Sequence, residues 1–185
     1  MAKHTLTADS VLKQAIVLAQ KSSWESFSFV ELALLLDCSL SDIKQFYRSK
    51  DDMAEALFNC ADDAMLNLAL DEEYRHLASD EKLVESIMTW FESLTPYRPL
   101  VREILAYKLE PGHFHLQAHG ITRISRTVQW FIEAADRKNT SCKRITDEVA
   151  VTSAYLISFR SFLCDDSERH VKTRHLLERL LRHVN

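Results

Sequence analysis

Residues 28–52 read SFVELALLLDCSLSDIKQFYRSKDD. Three times within them a serine is followed three residues later by an acid: Ser28 and Glu31, Ser39 and Asp42, Ser49 and Asp52. A serine oxygen can accept from a free N–H of a helix's first turn, and the acid can reach back to the serine N–H. Three such starts, eleven and then ten residues apart, predict two short helices and the beginning of a third. Only Asp37-Cys38-Ser39 separates the first two, which leaves room for a tight turn. The layout is a helix-turn-helix. Apolar spacing puts Val30, Ala33 and Leu34 on one face of the first helix. Leu40, Ile43, Phe46 and Tyr47 share a face of the second. With those faces inward, Ser41, Asp42, Lys44, Gln45 and Arg48 point outward.

The chain has 185 residues but two glycines and three prolines. That composition disfavours phosphate-cradling glycine loops and the many turns of an all-β fold, and predicts an all-α protein. The net charge of −4 is not that of a polycation. The first 60 residues hold six bases (Lys3, Lys13, Lys21, Lys44, Arg48, Lys50) against eight acids (Asp9, Glu25, Glu31, Asp37, Asp42, Asp51, Asp52, Glu55), so this segment is two charges negative. Phosphate attraction dominates DNA affinity, so Lys44, Arg48 and Lys50 must act locally. No basic-then-apolar leader and no run long enough to span a bilayer is evident, and a cytoplasmic location is the expectation. Cysteines 38, 60, 142 and 164 form no CxxC. Cys38, Cys60 and Cys164 fall in apolar patterns that predict burial; Cys142 falls in a polar stretch.

The helical pattern extends along the whole chain. Residues 1–7 read as an arm, and 8–21 as a helix with Val11, Ala15, Leu18 and Ala19 inward. Trp24 and Phe27 plug its joint with the helix-turn-helix. A fourth helix spans 50–70, with Met53, Ala54, Leu57, Phe58, Ala61, Met65 and Leu68 in a stripe. Residues 71–79 are polar, and Ser79 or Asp80 is expected to cap a helix carrying Leu83, Ile87, Trp90, Phe91 and Leu94. After Thr95-Pro-Tyr-Arg-Pro99, helices are expected at 100–110, 113–137 and 145–164, and a last one from about Ser167. The 145–164 helix carries Val149, Val151, Ala154, Tyr155, Ile157, Ser158 and Phe162. The last has Val171, Leu176, Leu177, Leu180, Leu181 and Val184 inward, with Arg169, Lys172, Arg174, Arg179 and Arg182 available to a basic face. His113, His115 and His119 have metal-ligand spacing, but no acid or thiol nearby completes a set. No metal, no cofactor and no catalytic group is expected: no Ser-His-Asp arrangement, paired acids or nucleotide loop is present.

The segment from Val11 to Leu57, through Phe29-Val-Glu-Leu-Ala33, the Ser39 turn and Phe46-Tyr-Arg-Ser-Lys50, resembles the DNA-binding domain of TetR-family regulators. Tyr47, Ser49 and Lys50 match that domain's ending. Asp37 stands where the family usually has glycine, and Lys44 where it usually has an aromatic phosphate contact. Glu85-Ser-Ile-Met-Thr-Trp-Phe91, Val128–Ala135 and Phe159–Asp166 are similar to a branch that includes ubiquinone-biosynthesis lipid-binding proteins. The resemblance implies a helix-turn-helix domain over residues 1–52, linked through helix 50–70. It implies a C-terminal ligand-binding and dimerisation domain over 53–185, about nine helices in all, paired with a second copy through the last two. It implies operator DNA as partner of Ser39, Ser41, Lys44, Gln45, Tyr47, Arg48 and Lys50. A hydrophobic small molecule would be lined by Trp90, Phe91, Tyr97, Tyr107, Phe114, Trp130 and Phe131. The other branch implies an alternative: a lipid- or isoprenoid-binding accessory protein without DNA binding, touching a membrane surface with its basic last helix.

Overall fold

The computed structural model describes residues 6–112, 114–138 and 141–182, the side chains of 114, 115, 141 and 142 excepted. The arm before residue 6, His113, Val184 and the side chains of Phe114, His115 and Cys142 lie outside what is described. Every regular element described is helical. The helices are α1 (Ala8–Lys21), α2 (Phe29–Leu36), α3 (Leu40–Phe46), α4 (Lys50–Leu66), α5 (Glu72–His76), α6 (Ser79–Leu94), α7 (Arg98–Leu109), α8 (Phe114–Ala134), α9 (Ser141–Leu163) and α10 (Val171–Leu181). The chain forms two compact units. One joins residues 1–59 and 97–116; the other joins 60–96 and 117–185. The division cuts α4 and α8, so chain order alone does not give the units.

In the first unit α1, α2 and α3 contact one another, and α7 leans on α1. Val11, Leu12, Ala15, Ile16 and Ala19 of α1 are buried with Trp24, Phe27, Leu32, Ala33, Ile43, Met53, Leu57, Leu100, Val101 and Ile104. Polar ties bind α7, distant in sequence, to this core. Glu103 accepts the Trp24 N–H at 2.7 Å. The buried Lys108 ammonium meets Asp51 at 2.5 Å and Glu55 at 2.9 Å.

The inward faces of the short helices differ from the sequence expectation. On α2, Leu32 and Ala33 are buried, while Val30, Leu34 and Leu35 are exposed. On α3, Ile43 and Tyr47 are buried, while Leu40 and Phe46 are exposed. Two turns of helix offer one narrow contact line, and a nearly all-apolar α2 gives periodicity too little contrast to choose it. The cysteines also differ: Cys38 is half-buried, and Cys60 and Cys164 are exposed.

In the second unit α9 and α10 pack together, and both contact α6. Six aromatic rings fill its centre. Phe91 stacks on Tyr155, Phe159 and Phe162, and Trp90 meets Phe131, Tyr155 and Phe159 edge-on. Tyr74 on α5 donates to the Ala134 carbonyl at 2.9 Å. Ser79 does not cap α6; its hydroxyl donates to Ala135 O, and Glu81 accepts the Ala78 N–H instead. The helix expected from Ile145 starts at Ser141, and its Val149 and Ile157 are exposed rather than buried.

The last helix begins later than expected. Residues 168–170 form a 3-10 turn, and Arg169 and His170 take left-handed φ values of 49° and 53°. Such conformations cost free energy for residues with a Cβ. Asp165 offsets that cost: its carboxylate accepts from the N–H groups of Ser167 and Thr173 at 2.9 Å and from both hydroxyls. His170, buried edge-on to Phe162, places Nδ1 3.2 Å from Asp165 O, so Nδ1 carries the proton. Val171, expected inward, is exposed: the buried row of α10 is Thr173, Leu177 and Leu181, and Val171 lies off it.

Burial disfavours the charge on Asp165, but the Ser167 and Thr173 bonds outweigh it and hold the carboxyl well below its usual range. A depressed carboxyl contributes stability above its unfolded pKa and loses it as pH falls through the folded value. Asp165→Asn should therefore destabilise the protein by about 1–3 kcal/mol at pH 7. In urea unfolding the deficit should close as pH drops below about 4.

Candidate nucleic-acid interface and ligand core

The helix-turn-helix begins with its caps. Glu31 accepts the Ser28 N–H at 2.8 Å while Ser28 Oγ accepts the Glu31 N–H at 3.2 Å. Asp42 and Ser39 repeat the exchange at 2.9 and 3.1 Å. The bonds from Ser39 hold the Asp42 carboxyl below its usual pKa, so the acid inside α3 is committed to its own helix end. At the third start Ser49 Oγ accepts the Asp52 N–H, but Asp52 accepts from Arg48 N–H at 2.8 Å. Between α2 and α3 the chain turns at Asp37, with φ 49° and ψ 48°. This is the left-handed position that glycine usually takes after a helix, and aspartate tolerates it better than most residues. Cys38 N–H closes the turn on Ala33 O at 3.1 Å.

The seven residues that the resemblance assigns to DNA fall into two groups in the fold. Ser41, Lys44 and Gln45 are exposed along the outer face of α3, and Arg48 follows, exposed, with its Nε 3.6 Å from Asp52. Ser39, Tyr47 and Lys50 make internal bonds. Ser39 is the cap. Tyr47 is buried and its hydroxyl donates to Ala8 O at 3.1 Å. Lys50 Nζ donates to Trp24 O at 3.1 Å and Glu25 O at 2.7 Å, and sits 4.5 Å from the centre of the Phe27 ring. Burial lowers the Lys50 pKa, against the pull of Glu25 and Glu31. Lys50 thus braces the α1–α2 joint. Nothing in the one-dimensional pattern distinguished it from Lys44, because its partners are carbonyls 25 and 26 residues away.

The residues marked for a ligand divide as well. Trp90, Phe91 and Phe131 meet in the aromatic centre of the second unit. Tyr97 and Tyr107 belong to the first unit and are half-buried there. Trp130 is exposed, in an open cleft with Arg126, Glu133, Arg144 and Glu148. Sequence reasoning missed the polar heart of the aromatic core. Buried Asp62 accepts from Trp90 Nε1 at 2.8 Å, from the buried Arg123 at 2.7 Å and from Thr127 at 3.2 Å. Burial pushes the Asp62 carboxyl up, against Arg123, Trp90 and Thr127, and it pushes the enclosed Tyr155 hydroxyl up too. The available signal was the position of Arg123 and Thr127, on the same face of α8 as Val128 and Phe131.

Comparison with known proteins decides the family. A structure of a TetR transcriptional regulator from Nitrosomonas europaea is 34% identical, covers 96% of this chain and 97% of its own, and superposes with a TM-score of 0.84. The chain belongs to the TetR family of transcriptional regulators. Two more distant TetR-family structures share the fold. One from Streptomyces coelicolor is 13% identical, covers 95% of this chain and 78% of its own, and has a TM-score of 0.63. One from Rhodococcus sp. RHA1 is 13% identical, covers 92% and 93%, and has a TM-score of 0.62. No protein-family model and no curated protein sequence matches. No helix among the described residues is long and apolar enough to cross a membrane.

The buried pair in this TetR-family chain is testable. Removing one partner of a buried ion pair strands the other, whereas replacing both with apolar groups is often neutral. Asp62→Ala should cost about 3–5 kcal/mol in urea unfolding. Asp62→Leu combined with Arg123→Met should recover most of that loss, which shows the cost to be the stranded arginine.

Proposed function

We propose that this protein regulates transcription as a homodimer that binds operator DNA through two copies of α3 and responds to a small molecule in its C-terminal domain. The observation that carries the reading is the outer face of α3. Ser41, Lys44 and Gln45 stand exposed there on a helix whose acid is engaged in its cap. Lysine and glutamine are the side chains that pair with guanine and adenine edges in the major groove. Arg48 adds a phosphate contact, and Ser39, Tyr47 and Lys50 hold the frame. Pairing through the last two helices is supported mainly by α9, which exposes Ile145, Val149, Leu156 and Ile157 on one side. Exposed apolar side chains on one side of a helix, here interleaved with Ser153 and Arg160, favour a partner. Trp90, Phe91 and Phe131, with Tyr155 and the Asp62–Arg123 pair, pack closely, so a ligand that is apolar with one polar group would have to part these rings to enter.

A second reading, a lipid-binding accessory protein, has its own observations. Val30, Leu34 and Leu35 expose apolar surface on the reader, and α10 exposes Lys172, His175, Arg179 and Arg182. The apolar side of α10, Thr173, Leu177 and Leu181, is buried within the unit. Attraction of α10 to an anionic membrane would therefore be electrostatic, about 1 kcal/mol per cation.

The discriminating experiment is a salt titration of binding to the promoter DNA of its own gene against random competitor. Specific retention is expected. Two exposed cations at each α3 surface, Lys44 and Arg48, make four per dimer and give a log–log salt slope of about −4. Arg48→Ala should flatten the slope by about 2 per dimer and weaken all sequences alike, whereas Lys44→Ala should also relax the preference at the base pair it meets. No preference at low salt, with binding to anionic vesicles instead, would replace this reading by the second. The dimer is tested separately: Val149→Glu with Leu156→Glu should give a folded monomer by light scattering that no longer holds DNA.

A further inference from the structure

This inference rests on the DNA-reading function proposed above and concerns which base the head recognises. Leu40 is the first residue of α3, and half of its surface is exposed. One exposed leucine on a protein surface needs no explanation. Its place here does. At 3.6 residues per turn, Leu40, Ser41, Lys44 and Gln45 share an outward arc of about 140°. Buried Ile43, about 60° from Leu40 on the other side, faces the core, so Leu40 stands at the edge of that arc next to the buried line and is half exposed. In a helix-turn-helix the N-terminal residues of the second helix reach base edges, while the first helix crosses the backbone. The apolar side chains exposed on α2 are therefore on the backbone side, and Leu40 is the apolar side chain at the entering tip.

In the major groove the thymine 5-methyl is the apolar group on a base edge. A leucine there cannot accept or donate, so it gains nothing from guanine, adenine or cytosine edges and excludes water from their polar atoms. We propose that Leu40 contacts a thymine 5-methyl in each operator half-site, beside the bases met by Ser41 and Lys44. The head, net acidic and with two exposed cations on this surface, thus draws part of its specificity from an apolar contact that salt does not screen.

The test begins with selection of bound duplexes from a random pool by the full chain. Each thymine of the enriched half-site is then replaced by deoxyuridine, which removes only the methyl. At one thymine per half-site the wild type should lose about fourfold, the worth of one buried methyl group, or about fifteenfold when both half-sites are changed. Leu40→Ala, verified as folded by circular dichroism and as dimeric by light scattering, should bind the thymine duplex as weakly as the wild type binds the uridine one. It should also no longer distinguish the two. Leu40→Met should keep the distinction. Enrichment of a specific duplex with no loss at any deoxyuridine, or full discrimination retained by Leu40→Ala, would overturn the assignment and leave DNA binding intact. Failure to enrich any sequence would instead remove the DNA-reading function, and this assignment with it.

Discussion

The unpaired N–H groups at a helix start must be satisfied, and in this protein that constraint fixes the helix-turn-helix. α2 and α3 are eight and seven residues long. Isolated helices of that length are unstable in water, so each depends on its cap and on a thin line of buried residues. The reciprocal serine–acid exchanges at Ser28 and Ser39 define where each begins, and Asp37 in the left-handed region turns one into the other. Once those points are set, the direction of α3 and the identity of its outer face follow. Lys50, drawn onto two backbone carbonyls and the Phe27 ring, locks the entry to the pair from behind.

The head's acidic balance looks different once the internal bonds are known. Glu31 and Asp42 are bound to their own helix starts, Asp52 accepts from Arg48 N–H, and Asp51 and Glu55 face Lys108. Much of the negative charge is therefore local structure. The same bookkeeping removes Lys50 from the free cations. What remains outward on α3 is one lysine among neutral groups, a surface suited to reading bases more than to gripping phosphates. The second unit follows a similar rule: Asp62 is tolerated at its centre because three donors converge on it, and Asp165 holds two left-handed residues because four donors converge there.

Much of this was legible along the chain. The starts of α2, α3 and α4, the inward Trp24 and Phe27, the stripe of α4 and the buried Trp90, Phe91 and Phe131 follow from caps and spacing. Where the reading missed, the cause was local ambiguity. The run Leu34-Leu-Leu36 is apolar on every side, so its exposed face could not be assigned. Cys60 and Cys164 sit among apolar neighbours in sequence and at the surface in space. Asp62, Arg123 and Thr127 are ordinary surface residue types until the fold puts them together.

The sequence by itself determined the helical class and the position of the helix-turn-helix, because capping and periodicity act over three or four residues. Only the tertiary structure decided that helix 98–109 joins the N-terminal unit, that Lys50 and Tyr47 serve the frame, and that an ion pair lies inside the aromatic core. Those outcomes depend on partners 25 to 79 residues away. No local pattern encodes which distant carbonyl or carboxylate a side chain will meet; packing decides it.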